Sequence, residues 1–418
     1  MNCRICDNDV YVILDYGAMP LANNHELSLD ITLKRYPLKL CWCKSCELLQ
    51  HCTEVEPNDL FRHYQYFSSV SEDYARSRRI LAEKLSALFV TRANFSVCEI
   101  ACNDGYFLEN FVGVADHVYG FEPAFEPSQV AKKKGINVID DFFDLETARK
   151  FIDHRRLNFD LVLANNVLAH CPNVLSVLCG VEHILADAGV FICEFPSAEE
   201  FVDKCLFDTV YHEHFFYFSL HAFQKLATKA KLKVVSSSVY PEHGVSWRVA
   251  LVKDKSSVDT VVRNEISGLF SSTLKVSDRK WFVDSFIDDI EIFRNMTNSV
   301  CYKIIEFLEK ALAQGKVVGF IGASAKGNSL LNFLINHNDC AEKLINRCVG
   351  ILDETPAKQG RFFSGTSLEI LSKEIYLERR VEIHLILIWN HAEEVKRRYS
   401  SFLDGDLIAF MPNGMRVL

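Results

Sequence analysis

Between residues 96 and 194 short apolar runs recur: Ser96–Ala101, His117–Phe121, Ile136–Ile139, Phe159–Ala164 and Gly189–Glu194. More polar, helix-like segments such as 127–134 and 172–186 separate them. Strands that alternate with helices form a parallel sheet covered on both faces. Lys233–Tyr240 and Ser246–Val252 lie close together, separated by Pro-Glu-His-Gly, and read as an antiparallel hairpin added to the sheet edge. The fold class expected here is therefore α/β with a Rossmann-like sheet.

The same logic divides the rest of the chain. Residues 1 to about 70 are loop-rich and hold six cysteines, and residues 71–255 carry the sheet. Residues 256–314 read as a helical connector, with apolar spacing of three and four within Trp281–Leu312. Residues 315–418 form a smaller α/β domain. It has Lys316–Ile321, a turn at Gly322–Gly327, a helix, and strands at Cys348–Leu352, Ile383–Ile388 and Leu407–Phe410. The two α/β units are expected to share only a general plan. A length of 418 residues agrees with two or three domains.

A net charge of −9, from 46 basic and 55 acidic residues, argues against a nucleic-acid backbone as partner. No apolar run reaches the ~18 residues of a membrane span, and Met1-Asn2-Cys3-Arg4 lacks the layout of a signal peptide. The expected location is cytoplasmic, where fifteen cysteines serve as thiols and ligands rather than disulfides. Cys3-Arg4-Ile5-Cys6 and Cys43-Lys44-Ser45-Cys46 supply two C-x-x-C pairs. Four soft ligands of this spacing suit a closed, structural zinc ion, with Cys41 and Cys52 as competitors.

Glu99-Ile100-Ala101-Cys102-Asn103-Asp104-Gly105 follows the first strand and precedes a helix. A turn of this kind passes under the methionyl part of S-adenosylmethionine, where small residues let backbone meet ligand. Asn103 and Asp104 suit its amino-acid end. Glu122, after the second strand, suits the ribose hydroxyls, and Asp141-Phe142-Phe143, after the third, suits the adenine. Asn165-Asn166, after the fourth, completes the rim. Glycine is usual where this chain has Ala101, and the G-x-G-x-x-G of a nicotinamide site is missing.

Tyr211-His212-Glu213-His214-Phe215-Phe216 concentrates acid–base groups among aromatics. Methylation of carbon needs a carbanion or enolate, and a C–H beside a carbonyl yields to a positioned base. His214 is the candidate base. Glu213 can orient a histidine or bond substrate hydroxyls, and Tyr211 can donate to an enolate oxygen. His170 lies on the same rim, and Tyr66 comes from the region joining the cysteine module to the sheet. Any one of these histidines alone is as well explained as a satisfied core residue; the cluster is not.

These residues carry a family resemblance that runs nearly end to end. The landmarks are the C-x-x-C pairs, Tyr64–Ser69, Glu99–Gly105, Gly120–Pro123, Asp141–Phe143, Asn165–His170, Tyr211–Ser219, His243-Gly244, Gly322–Asn328, Asp353–Pro356, Lys358–Arg361 and Trp389–Glu394. The chain resembles the nucleotide-sugar 3-C-methyltransferases of deoxysugar biosynthesis. The resemblance implies a zinc module, a cofactor-binding domain and a C-terminal domain that helps grip a nucleotide-sugar. It implies a thymidine- or guanosine-diphosphate 4-keto-6-deoxy sugar, methylated at carbon 3 with inversion. It further implies that His214 is the base and that Tyr211, Glu213, His170 and Tyr66 line the reacting sugar. Ala101, Val245 and His212 depart from the family pattern.

Gly322–Asn328 opens a helix, where exposed N–H groups favour an anion and Lys326 adds charge. Lys358, Gln359 and Arg361 form a second cationic group, so a diphosphate is the expected ligand, with Asn328 beside it. Asn390 and His391 follow an apolar strand and can reach a base, ribose or sugar. Asp353 allows a nicotinamide reading of this loop, a poorer fit. Two other functions compete: an O- or N-methyltransferase, for which the Tyr211–His214 set would be surplus, and a non-catalytic S-adenosylmethionine-binding protein whose zinc module recruits a partner.

Overall fold

The computed structural model describes residues 1–29, 33–56, 60, 72–89, 92–240, 245–256, 260–270, 279–411 and 414–418. Tyr66, with the rest of Tyr64–Ser69, and His243-Gly244 lie outside the described residues. The strands are β1 (Tyr11–Pro20), β2 (Arg35–Cys43), β3 (Leu48–Gln50), β4 (Ser96–Ile100), β5 (His117–Phe121) and β6 (Asn137–Ile139). Next come β7 (Phe159–Asn165), β8 (Leu185–Pro196), β9 (Phe216–Tyr217), β10 (Leu232–Tyr240) and β11 (Ser246–Lys253). The C-terminal strands are β12 (Val318–Ile321), β13 (Ile351–Leu352), β14 (Ile370–Leu371), β15 (Ile383–Ile386), β16 (Asp406–Ala409) and β17 (Arg416–Val417).

The central sheet has the order β10-β11-β8-β7-β4-β5-β6. Strands β4 to β8 run parallel, and β11 is antiparallel to β8 and β10, as expected of a hairpin at the edge. Successive residues feed two separate cores. Val97, Leu161, Leu163, Val190 and Ile192 pack toward the helix Glu72–Phe89. Cys98, Ile100, Val162, Ala164 and Phe191 pack toward Phe151, Val177 and Phe223 on the other face. Apolar side chains on both sides of each strand are what make these runs continuous rather than alternating. β8 begins at Leu185, within the stretch expected to be helical, because Leu185 already pairs with Phe159.

From β4 the chain steps out to β5 and β6, then returns to β7 on the opposite side. That reversal opens a crevice at the carboxyl ends of β4 and β7. The C-terminal sheet, β14-β13-β12-β15-β16-β17, repeats the device, with its reversal between β12 and β15. The two units share more than a general plan. In the first, Glu122 at the end of β5 accepts from the N–H groups of Asn103 and Ala124, both at 2.8 Å. In the second, Asp353 just beyond β13 accepts from Ala323 at 2.8 Å and Thr355 at 2.9 Å. In each case a carboxylate braces the turn that follows the first strand.

Residues 1–56 are more regular than a loop-rich reading implies, because β1 and β2 form a long antiparallel pair. Irregularities at Val12/Leu14 and Asp15/Gly17 break the alternation that would have revealed β1. The sheet β1-β2-β3 is completed by β9, two residues from the far side of the central domain. The helices Thr260–Leu269 and Phe286–Ala313 lie in the expected connector region. The longer one buries Phe293, Ile304, Leu308 and Leu312 in one apolar cluster with β1, β2 and the C-terminal sheet. Among the described residues no helix is long and apolar enough to cross a membrane.

Candidate active site

The two C-x-x-C turns are built alike. The residue after each second cysteine is left-handed, Asp7 at φ 60° and Glu47 at φ 54°. Its N–H returns to the carbonyl of the first cysteine, Asp7 to Cys3 at 2.9 Å and Glu47 to Cys43 at 2.8 Å. The turns meet with all four sulfurs of Cys3, Cys6, Cys43 and Cys46 within 4.8 Å of one another. Cys3–Cys46 is 4.0 Å and Cys6–Cys43 is 3.5 Å. Tetrahedral Zn–S bonds of ~2.3 Å would set sulfurs roughly 3.8 Å apart. Burial, aided by the neighbouring thiols, pushes the Cys43 thiol up to about 11. Four thiolates at this spacing require a cation, and the set fits structural zinc. Cys41 and Cys52 are not in the cluster.

At the carboxyl end of β4 the turn winds tightly through three left-handed residues, Ala101 (φ 53°), Asn103 (φ 52°) and Gly105 (φ 72°). A Cβ at Gly105 would sit 2.4 Å from Ile136 Cδ1 and 3.2 Å from Ala131 Cα, so with its left-handed φ the position strongly favours glycine. Glu99, 1 % exposed, accepts from Asn165 Nδ2 at 2.8 Å across the β4/β7 reversal. Burial pushes its carboxyl up to about 8. Glu99 Oε2 and Asp104 Oδ1 are buried acceptors with no hydrogen-bond partner among the described residues. Open acceptors beside this turn fit a ligand that brings N–H donors, as the α-ammonium of S-adenosylmethionine does. Burial also raises the Glu122 carboxyl, while the Ala124 and Asn103 N–H groups oppose that rise. Asp141 is exposed and caps the Phe142 N–H at 2.8 Å. Phe142 is half-buried, whereas Phe143 turns into the core, edge-on to Phe121 at 4.8 Å. The Asn166 N–H bonds Glu194 O at 2.9 Å and ties the rim to β8.

His214 is held from both sides. Its Nδ1 lies 2.8 Å from Thr209 O, and its Nε2 lies 2.8 Å from the Tyr211 hydroxyl. A carbonyl only accepts, so Nδ1 carries the proton and Nε2 presents a lone pair. Burial holds this imidazole well below the usual histidine range, with His170 adding to the effect, so it is neutral near pH 7. The His170 ring is 4.8 Å away, and its Nδ1 lies 2.9 Å from Glu213 O. Burial pushes His170 down to about 4. The Glu213 carboxylate, 4 % exposed, accepts from Asn23 Nδ2 at 2.8 Å, and burial lifts it to about 7. Tyr211, His214 and His170 are thus one cluster, which Glu213 joins through its main-chain carbonyl while its carboxylate turns to Asn23.

The zinc module props up this loop. Strand β3 pairs with β9, the His51 N–H bonds Phe215 O at 3.1 Å, and the Arg4 guanidinium covers the Phe215 ring at 4.8 Å. The C-terminal domain closes the other side, and its expected ligands divide. Lys326 lies 4.7 Å over the Trp389 ring, while Trp389 Nε1 donates to Asp208 Oδ2 at 2.6 Å. Lys358 instead donates to Ala323 O at 2.8 Å, and Arg361 Nη1 donates to His25 O at 3.2 Å. Asn328 donates to Ser364 O at 2.7 Å in a buried setting. Asn390 is half-buried, and exposed His391 pairs with Glu394 at 3.3 Å.

Sequence reasoning missed several residues. Arg78 is fully buried and pairs with Glu194 at 2.6 Å, while Arg248 bonds the same carboxylate. Burial opposes ionisation of Glu194, yet the two guanidinium groups hold it below the usual carboxylate range. Nothing in an amphipathic helix marks one of its arginines as buried. Asp208, Asn23 and His25 likewise sit in segments without a motif. Their partners, Trp389, Glu213 and Ser364, are far away in sequence.

Family models match three successive stretches: residues 3–61 as a zinc binding domain, 72–237 as a methyltransferase domain and 281–412 as a C-methyltransferase C-terminal domain. The chain is 29 % identical over 412 residues to the C-methyltransferase NovU of Streptomyces niveus, covering 96 % of this chain and 93 % of that one. Among solved structures, magnesium protoporphyrin IX methyltransferase of Synechocystis PCC 6803 aligns over 46 % of this chain and 86 % of its own, at 13 % identity and a TM-score of 0.33. A methyltransferase from Clostridium acetobutylicum ATCC 824 aligns over 44 % and 98 %, at 12 % identity and a TM-score of 0.33. The methyltransferase domain and its crevice define the protein as an S-adenosylmethionine-dependent methyltransferase. A zinc domain before it and a specialised domain after it narrow the class further. The chain carries these three domains in order and is similar along nearly its whole length to a C-methyltransferase.

Proposed function

We propose that the protein methylates the carbon beside the ketone of a nucleoside-diphosphate 4-keto-6-deoxy sugar, at carbon 3, with His214 as general base. The tautomer of His214 carries this reading. Thr209 O fixes the proton on Nδ1, so the lone pair of Nε2 points toward Tyr211. On arrival of a ketone the Tyr211 hydroxyl can turn its proton to the carbonyl oxygen and leave Nε2 open to the neighbouring C–H. The His170 ring lies beside that of His214, and the burial that gives both rings their low basicity limits the water that would quench a carbanion. S-adenosylmethionine supplies an electrophilic methyl group when bound. Glu99, Asp104 and Glu122 would hold it, and Asn165 orients Glu99. The diphosphate falls to the Lys358 and Arg361 group of the C-terminal domain.

In His214→Gln, methylated product should fall by ~10²–10⁴-fold while S-adenosylmethionine affinity by calorimetry stays within about twofold. Mass spectrometry of the wild-type product should show the methyl on carbon. Retained turnover in the variant, or a methyl ether from the wild type, sinks the reading.

A further inference from the structure

We propose that Lys326 is a catalytic residue that stabilises the enolate, rather than a ligand of the diphosphate. The inference rests on the keto-sugar reading above. Its basis is the short segment Asp208–Tyr211, in which every residue anchors part of one chamber. Asp208 Oδ2 accepts from Trp389 Nε1 at 2.6 Å and so fixes the ring under the Lys326 ammonium. Thr209 O accepts from His214 Nδ1 at 2.8 Å. Val210 O accepts from the Ser329 hydroxyl at 2.5 Å. Tyr211 bonds His214 Nε2 at 2.8 Å.

Ser329 lies three residues after Lys326 on the helix Ala325–His337, so both project from one face. The bond to Val210 therefore turns Lys326 toward the segment that also orients the base. The same proximity is felt in the charges. Burial dominates the low basicity of His214, and the Lys326 ammonium adds to it. The cations expected to share the diphosphate behave differently. Lys358 donates to Ala323 O and lies 3.8 Å from Asp353, and Arg361 donates to Ala357 O and His25 O, so the two form a cationic group of their own that leaves the diphosphate no need of Lys326. The Lys326 ammonium makes no side-chain hydrogen bond or close ion pair among the described residues; burial lowers its basicity, and the Asp208 carboxylate opposes that and keeps the charge. Lys326 is half-buried in the first turn of a helix, where the macrodipole also calls for an anion.

The chemistry needs such a charge. When the C–H bond breaks, its proton passes to His214 Nε2 and its electron pair moves onto the carbonyl oxygen. His214 is a weak base, so the step goes forward only if that oxyanion is held. Tyr211 supplies a hydrogen bond and Lys326 a full charge, strengthened where water is excluded.

The test measures deuterium uptake by thymidine- and guanosine-diphosphate 4-keto-6-deoxy sugars, each in turn, at the carbon beside the ketone. S-adenosylhomocysteine fills the cofactor site, so methyl transfer is not involved. Lys326→Met should slow exchange at saturating substrate by ~10²–10³-fold with little change in the half-saturating concentration, and Lys326→Arg should restore part of the loss. Lys326→Gln keeps a polar side chain as a second neutral variant, and wild-type S-adenosylhomocysteine binding in each variant shows an intact fold. Wild-type exchange at saturation with a raised half-saturating concentration makes Lys326 a diphosphate ligand and overturns the proposal alone. No exchange by the wild-type protein overturns the keto-sugar reading and this proposal together.

Discussion

Individual residues in this protein take their chemistry from what surrounds them. Glu213 is the clearest case: a carboxylate with one amide donor, Asn23, and almost no water, so burial lifts it to about 7. A carboxyl raised in the folded state favours folding while it stays protonated. That contribution is complete below the unfolded value near 4.5 and is lost as pH rises through about 7. Glu213→Gln keeps an acceptor for Asn23 and removes the titration. Its melting temperature should match wild type near pH 4.5, gain steadily to pH 7 and then level off, by about 3 kcal/mol at most. A difference independent of pH would show that Glu213 does not titrate in this window. The sequence disclosed that acid–base groups crowd residues 211–214, but not their protonation. Ionisation depends on the loss of water, which distant chain segments bring about.

At the scale of elements, the zinc module acts as a buttress for the catalytic loop. Strand β3 pairs with β9, so Cys43 at the end of β2 and Phe216-Tyr217, which follow the catalytic loop directly, are parts of one small sheet. Removing the metal should loosen that loop and leave the β4/β7 crevice standing. Cys43→Ser, or treatment with a strong chelator, should lower turnover at least tenfold while S-adenosylmethionine still binds within about threefold. Equal loss of both functions would show that the module supports the cofactor domain as a whole. The ligand spacing and the strand–helix alternation were legible because each is local. Strand β1 was not, since bulges at Val12/Leu14 and Asp15/Gly17 scramble its alternation. Ala101 shows the same limit: its left-handed φ of 53° explains why glycine is usual there, yet alanine in the sequence does not announce it.

Across the whole molecule one apolar cluster draws on all three matched stretches of the chain. Phe333 of the C-terminal domain packs edge-on to Tyr16 at 5.0 Å and lies 5.3 Å from Phe207, thus touching all three parts of the chain. Tyr16 donates to Phe207 O at 2.8 Å, and Asn336 donates to Tyr16 O at 2.8 Å. Domains joined through a common apolar cluster unfold together. Calorimetry should show one heat-absorption peak, and Phe333→Ala should move the whole of it downward, by roughly 3–5 kcal/mol in stability. A separate, unshifted peak for the central sheet would show that the domains are energetically independent.

The sequence by itself determined the parallel sheet, the zinc ligands and the polar group at the tip of each strand, because these follow from periodicity and short spacing along the chain. Only the tertiary structure decided which of them act together. It set Lys326 over Trp389 beside the segment that holds His214, and left Lys358 and Arg361 to another cluster. Contacts between residues far apart in sequence depend on how whole sheets pack, and no local pattern encodes that arrangement.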